Sequence, residues 1–207
     1  MAKRWTLERT VAPTIEPVTL DEIRDHLRLS DSADEATALA YLLVAREAIE
    51  QQELSRALLT QTWKLRLEGW PWDSPYRRIR LPRPLLQSVT SITYTDTSGT
   101  TQTLSASLYT VNAQAEPAIV VPAYGQSWPS PRVQRGVAAV TIEYVAGWTN
   151  RGLVPEAIRQ AIKLLVGEMW ENREGVIIET FIPKVLPTFA YLLTSQRCNY
   201  DFGEECG

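Results

Sequence analysis

With 207 residues, 44% hydrophobic and 22% charged, the chain has room for one large domain or two small ones and the composition of a soluble globular protein. A formal net charge of -3 excludes strong non-specific affinity for nucleic acid, which needs many uncompensated Lys and Arg; a protein past which DNA slides is not excluded. No apolar run reaches the roughly 20 residues of a membrane span, and the first ten residues carry positive charge with no apolar core behind them, so they do not read as a signal peptide.

Residues 1–15 read as an irregular N-terminal arm anchored only by Trp5. Thr19-Leu-Asp-Glu22 is a capping box, in which the Thr19 hydroxyl accepts from a first-turn N–H and Glu22 reaches back. It opens a helix with Leu20, Ile23 and Leu27 on one face. A second box, Ser32-Ala-Asp-Glu35, opens a longer helix whose core positions read as Leu39, Leu42, Leu43, Ile49 and Leu54, with Glu47 and residues 50–53 on the wet side. At Thr60 the period changes from helical to two. Trp63, Leu65 and Leu67 alternate with Thr62, Lys64 and Arg66. Short strands follow at residues 78–81, 88–95, 100–104, 109–112 and 118–121, with Asp96-Thr-Ser-Gly99 as a hairpin turn. Residues 138–145 give the strongest strand, with Val140, Ile142 and Tyr144 on one face.

The longest helix runs from Pro155, suited to a first helical position, to Arg173, with Gly175 just past its end. Ile158, Ala161, Ile162, Leu165, Val166 and Met169 form its apolar stripe. Residues 175–187 are a loop holding Ile177, Ile178, Phe181 and Ile182. Pro187 opens a last short helix bearing Phe189, Ala190, Leu192 and Leu193 and closed by Arg197. The expected fold class is therefore α+β: a helical bundle core from residues 16–59 and 149–197, an inserted antiparallel β domain at 60–148, and a flexible acidic tail at 198–207.

Catalytic signatures are missing: there is no phosphate-binding glycine loop, no Gly-x-Ser-x-Gly and no His-Glu-x-x-His. His26, the sole histidine, lies beside the apolar face of the first helix and reads as a packing residue. With one histidine and two tail cysteines, Cys198 and Cys206, one chain assembles no zinc site of ordinary composition, and the thiols read as reduced. No cofactor is expected. Asp21 and Asp25, one turn apart, read as a solvated pair. Arg77, Arg78, Arg80 and Arg83 cluster; they read as a solvated edge that blocks aggregation or as a contact to phosphate or an acidic partner. Trp70, Trp72, Trp128 and Trp148 lie in or beside turns, where exposed rings would form a glycan platform and buried ones would pack loops.

Read as words in order, Glu16-Pro-Val-Thr-Leu-Asp-Glu-Ile-Arg-Asp-His-Leu-Arg-Leu29, Ala45-Arg-Glu-Ala-Ile-Glu50, Leu58-Leu-Thr-Gln-Thr-Trp63, Leu81-Pro-Arg-Pro84, Val89-Thr-Ser-Ile-Thr-Tyr-Thr-Asp96, Tyr144-Val-Ala-Gly147 and Val154-Pro-Glu-Ala-Ile158 resemble the head–tail connector (adaptor) proteins of long-tailed phages and prophages. The resemblance runs from about Glu16 to Arg197. It implies a structural virion protein and not an enzyme: a homo-oligomeric ring, usually of twelve copies, beneath the portal protein. Such a ring extends the DNA channel without gripping DNA and docks a stopper or tail-completion protein, with no membrane partner. Short relatives are all-helical, and the β insert is shared with longer ones. The candidate subunit or portal interface is Ile177, Ile178, Phe181, Ile182, Phe189, Leu192, Leu193 and Arg197, because four apolar residues in one loop are hard to bury in so small a fold. The competing reading is a glycan-binding β module with exposed tryptophans.

Overall fold

The computed structural model describes residues 5–30, 34–71, 77–129, 138–172 and 187–197. They fall into two compact units, one made of residues 14–59 and 148–197, the other of residues 5–13 and 60–147.

The first unit is helical. Helix α1 (Leu20–Leu27) starts on the Thr19 capping box, with the Glu22 N–H donating to Thr19 Oγ1 at 3.1 Å and the Thr19 N–H to Glu22 Oε2 at 2.7 Å. Helix α2 (Glu35–Ala48) starts after Asp34; Ser32, expected to cap it, lies outside the described residues. Helix α3 (Glu156–Glu171) follows Pro155 and ends within two residues of the expected boundary. Helix α4 (Pro187–Thr194) packs on α3. Ile158, Ala161, Ile162, Leu165 and Val166 of α3 bury against Ile23 of α1 and Ala38, Leu42 and Ala45 of α2. Removing such aliphatic surface from water is worth about 1.5–3 kcal/mol per large side chain, which a lone helix in water lacks. Tyr41 and Trp170 extend the α2–α3 contact edge to face, with ring centroids 6.3 Å apart. The two places where the chain leaves and re-enters this unit lie side by side. Leu59 and Trp148 form a parallel bridge, and the Arg56 guanidinium sits 5.7 Å from the Trp148 ring centre.

The second unit is antiparallel β. Strands β1 (Trp5–Val11), β2 (Gln61–Leu67), β4 (Leu86–Thr95), β5 (Thr101–Thr103) and β8 (Val140–Ala146) form a five-stranded sheet in the order β1-β2-β8-β4-β5. Strands β3 (Ile79–Leu81), β6 (Tyr109–Asn112) and β7 (Ala118–Pro122) form a three-stranded sheet in the order β3-β7-β6. The central pair shows the expected alternation: Trp63, Leu65 and Leu67 face inward opposite Tyr144, Ile142 and Val140. At the base of the unit the Gln87 amide donates to Thr60 Oγ1 at 2.8 Å and to the Gly147 carbonyl at 2.7 Å. Gly147 adopts φ 106°, a conformation open to glycine.

Two expectations are corrected. Residues 1–15 read as an irregular arm, yet Trp5–Val11 is strand β1, with Trp5 opposite Leu67. The free edge of β2 supplies the backbone partners, and Glu8 pairs with Arg66 at 2.6 Å; neither is visible in the local pattern of the arm. Glu50, placed on the wet side, is buried. After α2 the chain makes a π turn (Ile49–Glu53), which turns the Glu50 side chain inward. Its carboxylate meets Arg46 at 2.8 Å and accepts the Leu58 N–H at 2.8 Å, while Arg46 also pairs with Glu16 at 2.8 Å. This network joins the segment before α1, the end of α2 and the segment by which the chain leaves the helical unit. Removing one partner leaves a charge buried, so Glu50→Ala should lower unfolding stability by about 3–5 kcal/mol, read as a fall in the urea midpoint.

Candidate functional site

With no catalytic signature in the sequence, the surfaces carry the functional question. Helix α2 has two apolar faces. Ala38, Leu42 and Ala45 point into the helical unit, whereas Leu39, Leu43 and Val44 stand exposed, as do Ala36 and Ala40. Leu39 and Leu43, assigned to the core from sequence, are thus corrected to the surface. Ala38 and Ala45, with Leu42, form the inward stripe instead. The signal was present: a helix apolar nearly all round is one with something on every side.

The seam between α1 and α3 is polar. Arg159 donates through Nε to the Pro17 carbonyl at 3.2 Å, meets Glu156 at 2.7 Å, and pairs with Glu22. Burial pulls the Glu22 pKa upward, but the Thr19 N–H, the Arg159 guanidinium and the Thr19 hydroxyl outweigh it and hold the carboxyl below its ordinary value. His26 lies against α3, where a Cβ added at Gly167 would sit 3.4 Å from its Nε2. The residue is nonetheless exposed, so it packs by its ring edge and not as a core residue. Burial, and then the nearby Lys163 ammonium, push its pKa below the ordinary value, and a hydrogen bond to the Lys163 backbone opposes them. Asp21 and Asp25 are exposed.

The arginines do not form one free patch. Arg80 occupies the outward position of β3 between buried Ile79 and Leu81. Arg83 sits over the Trp63 ring at 5.4 Å, a cation–π contact. The Arg77 carbonyl accepts the Trp128 indole N–H at 2.7 Å. All four, Arg78 included, have interactions within the chain. The tryptophans take the loop-packing reading and not the platform. Trp70 and Trp128 are 4% and 2% exposed and stack on each other, with centroids 4.6 Å apart and planes 4° from parallel; Tyr94 leans on Trp70 at 5.9 Å. Trp148 is half-buried, and Trp72 lies outside the described residues. Buried stacked rings hold loops together and leave no face for a sugar.

Of the expected interface residues, Leu193 is fully buried in the helical core and Leu192 packs against it. Arg197 is exposed and pairs with Glu53, so Leu193 and Leu192 act inside the fold and Arg197 ties the end of this segment to the π turn. Ile177, Ile178, Phe181 and Ile182, and the side chain of Phe189, lie outside the described residues, as do Cys198 and Cys206. Helix α4 exposes Tyr191 instead. Among the described residues no group of three or more His, Cys, Asp or Glu is placed to hold a metal ion, and no helix is long and apolar enough to cross a membrane.

No family model and no curated protein matches the sequence. Solved structures do. A chain in the virion of a native gene transfer agent particle superposes with a TM-score of 0.73 at 24% identity, over 96% of this chain and 98% of that one. A chain in the neck of the empty particle, computed with C6 symmetry, gives 0.75 at 24% identity over 97% and 99%. A chain in the neck of the native particle, computed with C12 symmetry, gives 0.71 at 24% identity over 97% and 99%. The fold is one found in gene transfer agent particles. It is shared along the full length, so the β unit belongs to the common architecture and is not peculiar to this chain.

The position of His26 has a pH consequence. A lowered folded-state pKa means the fold favours the neutral ring. Its contribution is complete above the unfolded value of 6.5 and is lost as pH falls through the lowered folded value. Thermal melts from about pH 7.5 down to about pH 5.5 should therefore show a loss of stability that His26→Gln reduces.

Proposed function

We propose that the chain is a structural protein of the head–tail junction of a phage or phage-like particle. In this reading it is an adaptor whose copies form a ring beneath the portal, extend the DNA channel and dock the next tail component, a stopper or tail-completion protein. The observation that carries the reading is the end-to-end likeness to a chain in the neck of the native gene transfer agent particle computed with C12 symmetry, which supports a twelve-copy ring. The order of sequence words shared with phage connectors points the same way. A net charge of -3 suits a channel wall that lets phosphates pass without releasing counterions and holding on. The protein then resides in the virion, after assembly in the host cytoplasm, and has no membrane partner. Its work needs no catalytic group and no cofactor.

A ring needs two different patches on every copy, each meeting the other on the next copy. The segment with Ile177, Ile178, Phe181 and Ile182, continued by Phe189, is proposed as a contact to the portal or a neighbouring copy; Leu192, Leu193 and Arg197 serve it indirectly by fixing α4. Arg77, Arg78, Arg80 and Arg83 are proposed to meet an acidic face of a neighbour or passing phosphate. The burial of Trp70 and Trp128 removes the observation that would favour a glycan-binding module.

The test is negative-stain imaging and native mass spectrometry of the chain with portal-bearing heads. A ring at the portal vertex is expected; a chain that stays monomeric and leaves heads bare overturns the reading. Ile178→Glu with Phe181→Glu should abolish attachment to heads without lowering the melting temperature, because an apolar contact cannot accept two unpaired carboxylates. Alanine at all four arginines should weaken ring assembly or DNA retention; both intact would exclude the arginines from either contact.

A further inference from the structure

Among the described residues eight large apolar side chains stand exposed. Three of them, Leu39, Leu43 and Val44, share one face of α2, at 41, 40 and 54% exposure. Ala36 and Ala40 complete the face. Positions 36, 39, 40, 43 and 44 have the i, i+3, i+4, i+7, i+8 spacing through which a helix meets a partner. No charged residue interrupts them. The inward stripe of the same helix is already filled, so this outer one is a second and separate contact surface.

The residue sizes suit a partner. Ala36 and Ala40 are small and alternate with the larger Leu39 and Leu43, the mix of sizes that knobs-into-holes packing uses. The same unit carries a large side chain to match: Tyr191 of α4 is 80% exposed and so is not packed on its own chain. An apolar stripe and a projecting ring both left open on one copy are what a head-to-tail contact requires, since each copy can give one and take the other. Three half-exposed aliphatic side chains fall well short of the ~800 Å² per partner of a stand-alone interface. The contact therefore suits one repeated around a closed ring, where it works beside others, and not a free dimer.

We propose that the α2 stripe of Ala36, Leu39, Ala40, Leu43 and Val44 seats Tyr191 of a second copy of this chain. The inference rests on the ring reading above and names one of its two patches. To test it, two full-length single-cysteine chains, Ala40→Cys and Tyr191→Cys, each also carrying Cys198→Ser and Cys206→Ser, are mixed under the conditions that give rings of the unsubstituted chain and treated with a short bis-maleimide. The mixture is expected to yield a species of twice the 23.3 kDa chain mass, and neither chain alone is. Leu43→Glu should abolish that species and raise the concentration needed for assembly at least tenfold, with the monomer's melting temperature unchanged because position 43 is exposed. A linked dimer of the Ala40→Cys chain alone would overturn the head-to-tail contact in favour of α2 on α2. Rings that persist with no linked species, or that form equally well with Leu43→Glu, would overturn the stripe and leave the ring reading standing. An unsubstituted chain that never forms rings, alone or on portal-bearing heads, would overturn the ring reading and this inference together.

Discussion

The helical unit depends on closing the apolar face of α3. Five of its residues, Ile158, Ala161, Ile162, Leu165 and Val166, are buried, and α4, the next helix in sequence, covers only part of them. The rest of the cover comes from α1 and α2, more than a hundred residues earlier in the chain. Everything between must be inserted without disturbing that contact, and two devices arrange it. Leu59 and Trp148 lie side by side where the chain leaves and returns, and the Glu50 carboxylate holds the outgoing segment at Leu58. A long excursion costs little more than a short one once its ends are fixed, because closure entropy grows only logarithmically with length. Residues 60–147 can therefore be set between the two halves of the helical unit in sequence.

The polar contacts follow the same logic. Arg46 and Glu50 are 6% and 3% exposed, a costly place for charge unless every lone pair is used. Here Arg46 reaches both Glu50 and Glu16, and Glu50 also takes a backbone N–H. Apolar residues of the same size would pack at least as stably but would not dictate which strand leaves the helix or where. The α1–α3 seam repeats the pattern at lower burial, with Arg159 reaching Glu22, Glu156 and the Pro17 carbonyl. In both places a charged network fixes register while aliphatic side chains provide the driving force.

Much of this was legible in the sequence. The Thr19 capping box, the α3 stripe and the alternation of Trp63, Leu65 and Leu67 each rest on local periodicity, and each is found where the periodicity put it. What was not legible depends on partners remote in sequence. Strand β1 exists because β2 has a free edge; its own residues alternate too weakly to announce it. Glu50 looked wet because it follows an exposed Glu47, and a π turn, which has no sequence signature, rotates it inward. Trp70 and Trp128 lie by turns, where a platform and loop packing were both open readings; each ring is the other's cover, a pairing remote in sequence. For the candidate site, Leu192 and Leu193 were given an outward role on α4, yet Leu193 is buried and Leu192 packs against the core, because composition cannot say on which side of a short helix the core lies.

Helix α2 carries the consequence furthest. It is apolar on two faces, and one face suffices to close α3. Ala36 and Ala40 are good helix formers, but at positions 39, 43 and 44 Glu, Lys or Gln would serve the helix at least as well as Leu or Val, and would be hydrated. Aliphatic side chains left in water there bring no gain to the isolated chain and raise its tendency to associate. Their presence makes sense when the helix is completed by another molecule, and the proposed ring supplies one at every position around it. In that arrangement α2 has the same role twice: its inner face closes α3 within the chain, and its outer face closes one copy against the next. The stability of the monomer and the stability of the ring would then be set by opposite sides of a single helix, and substitutions on the two sides would separate them.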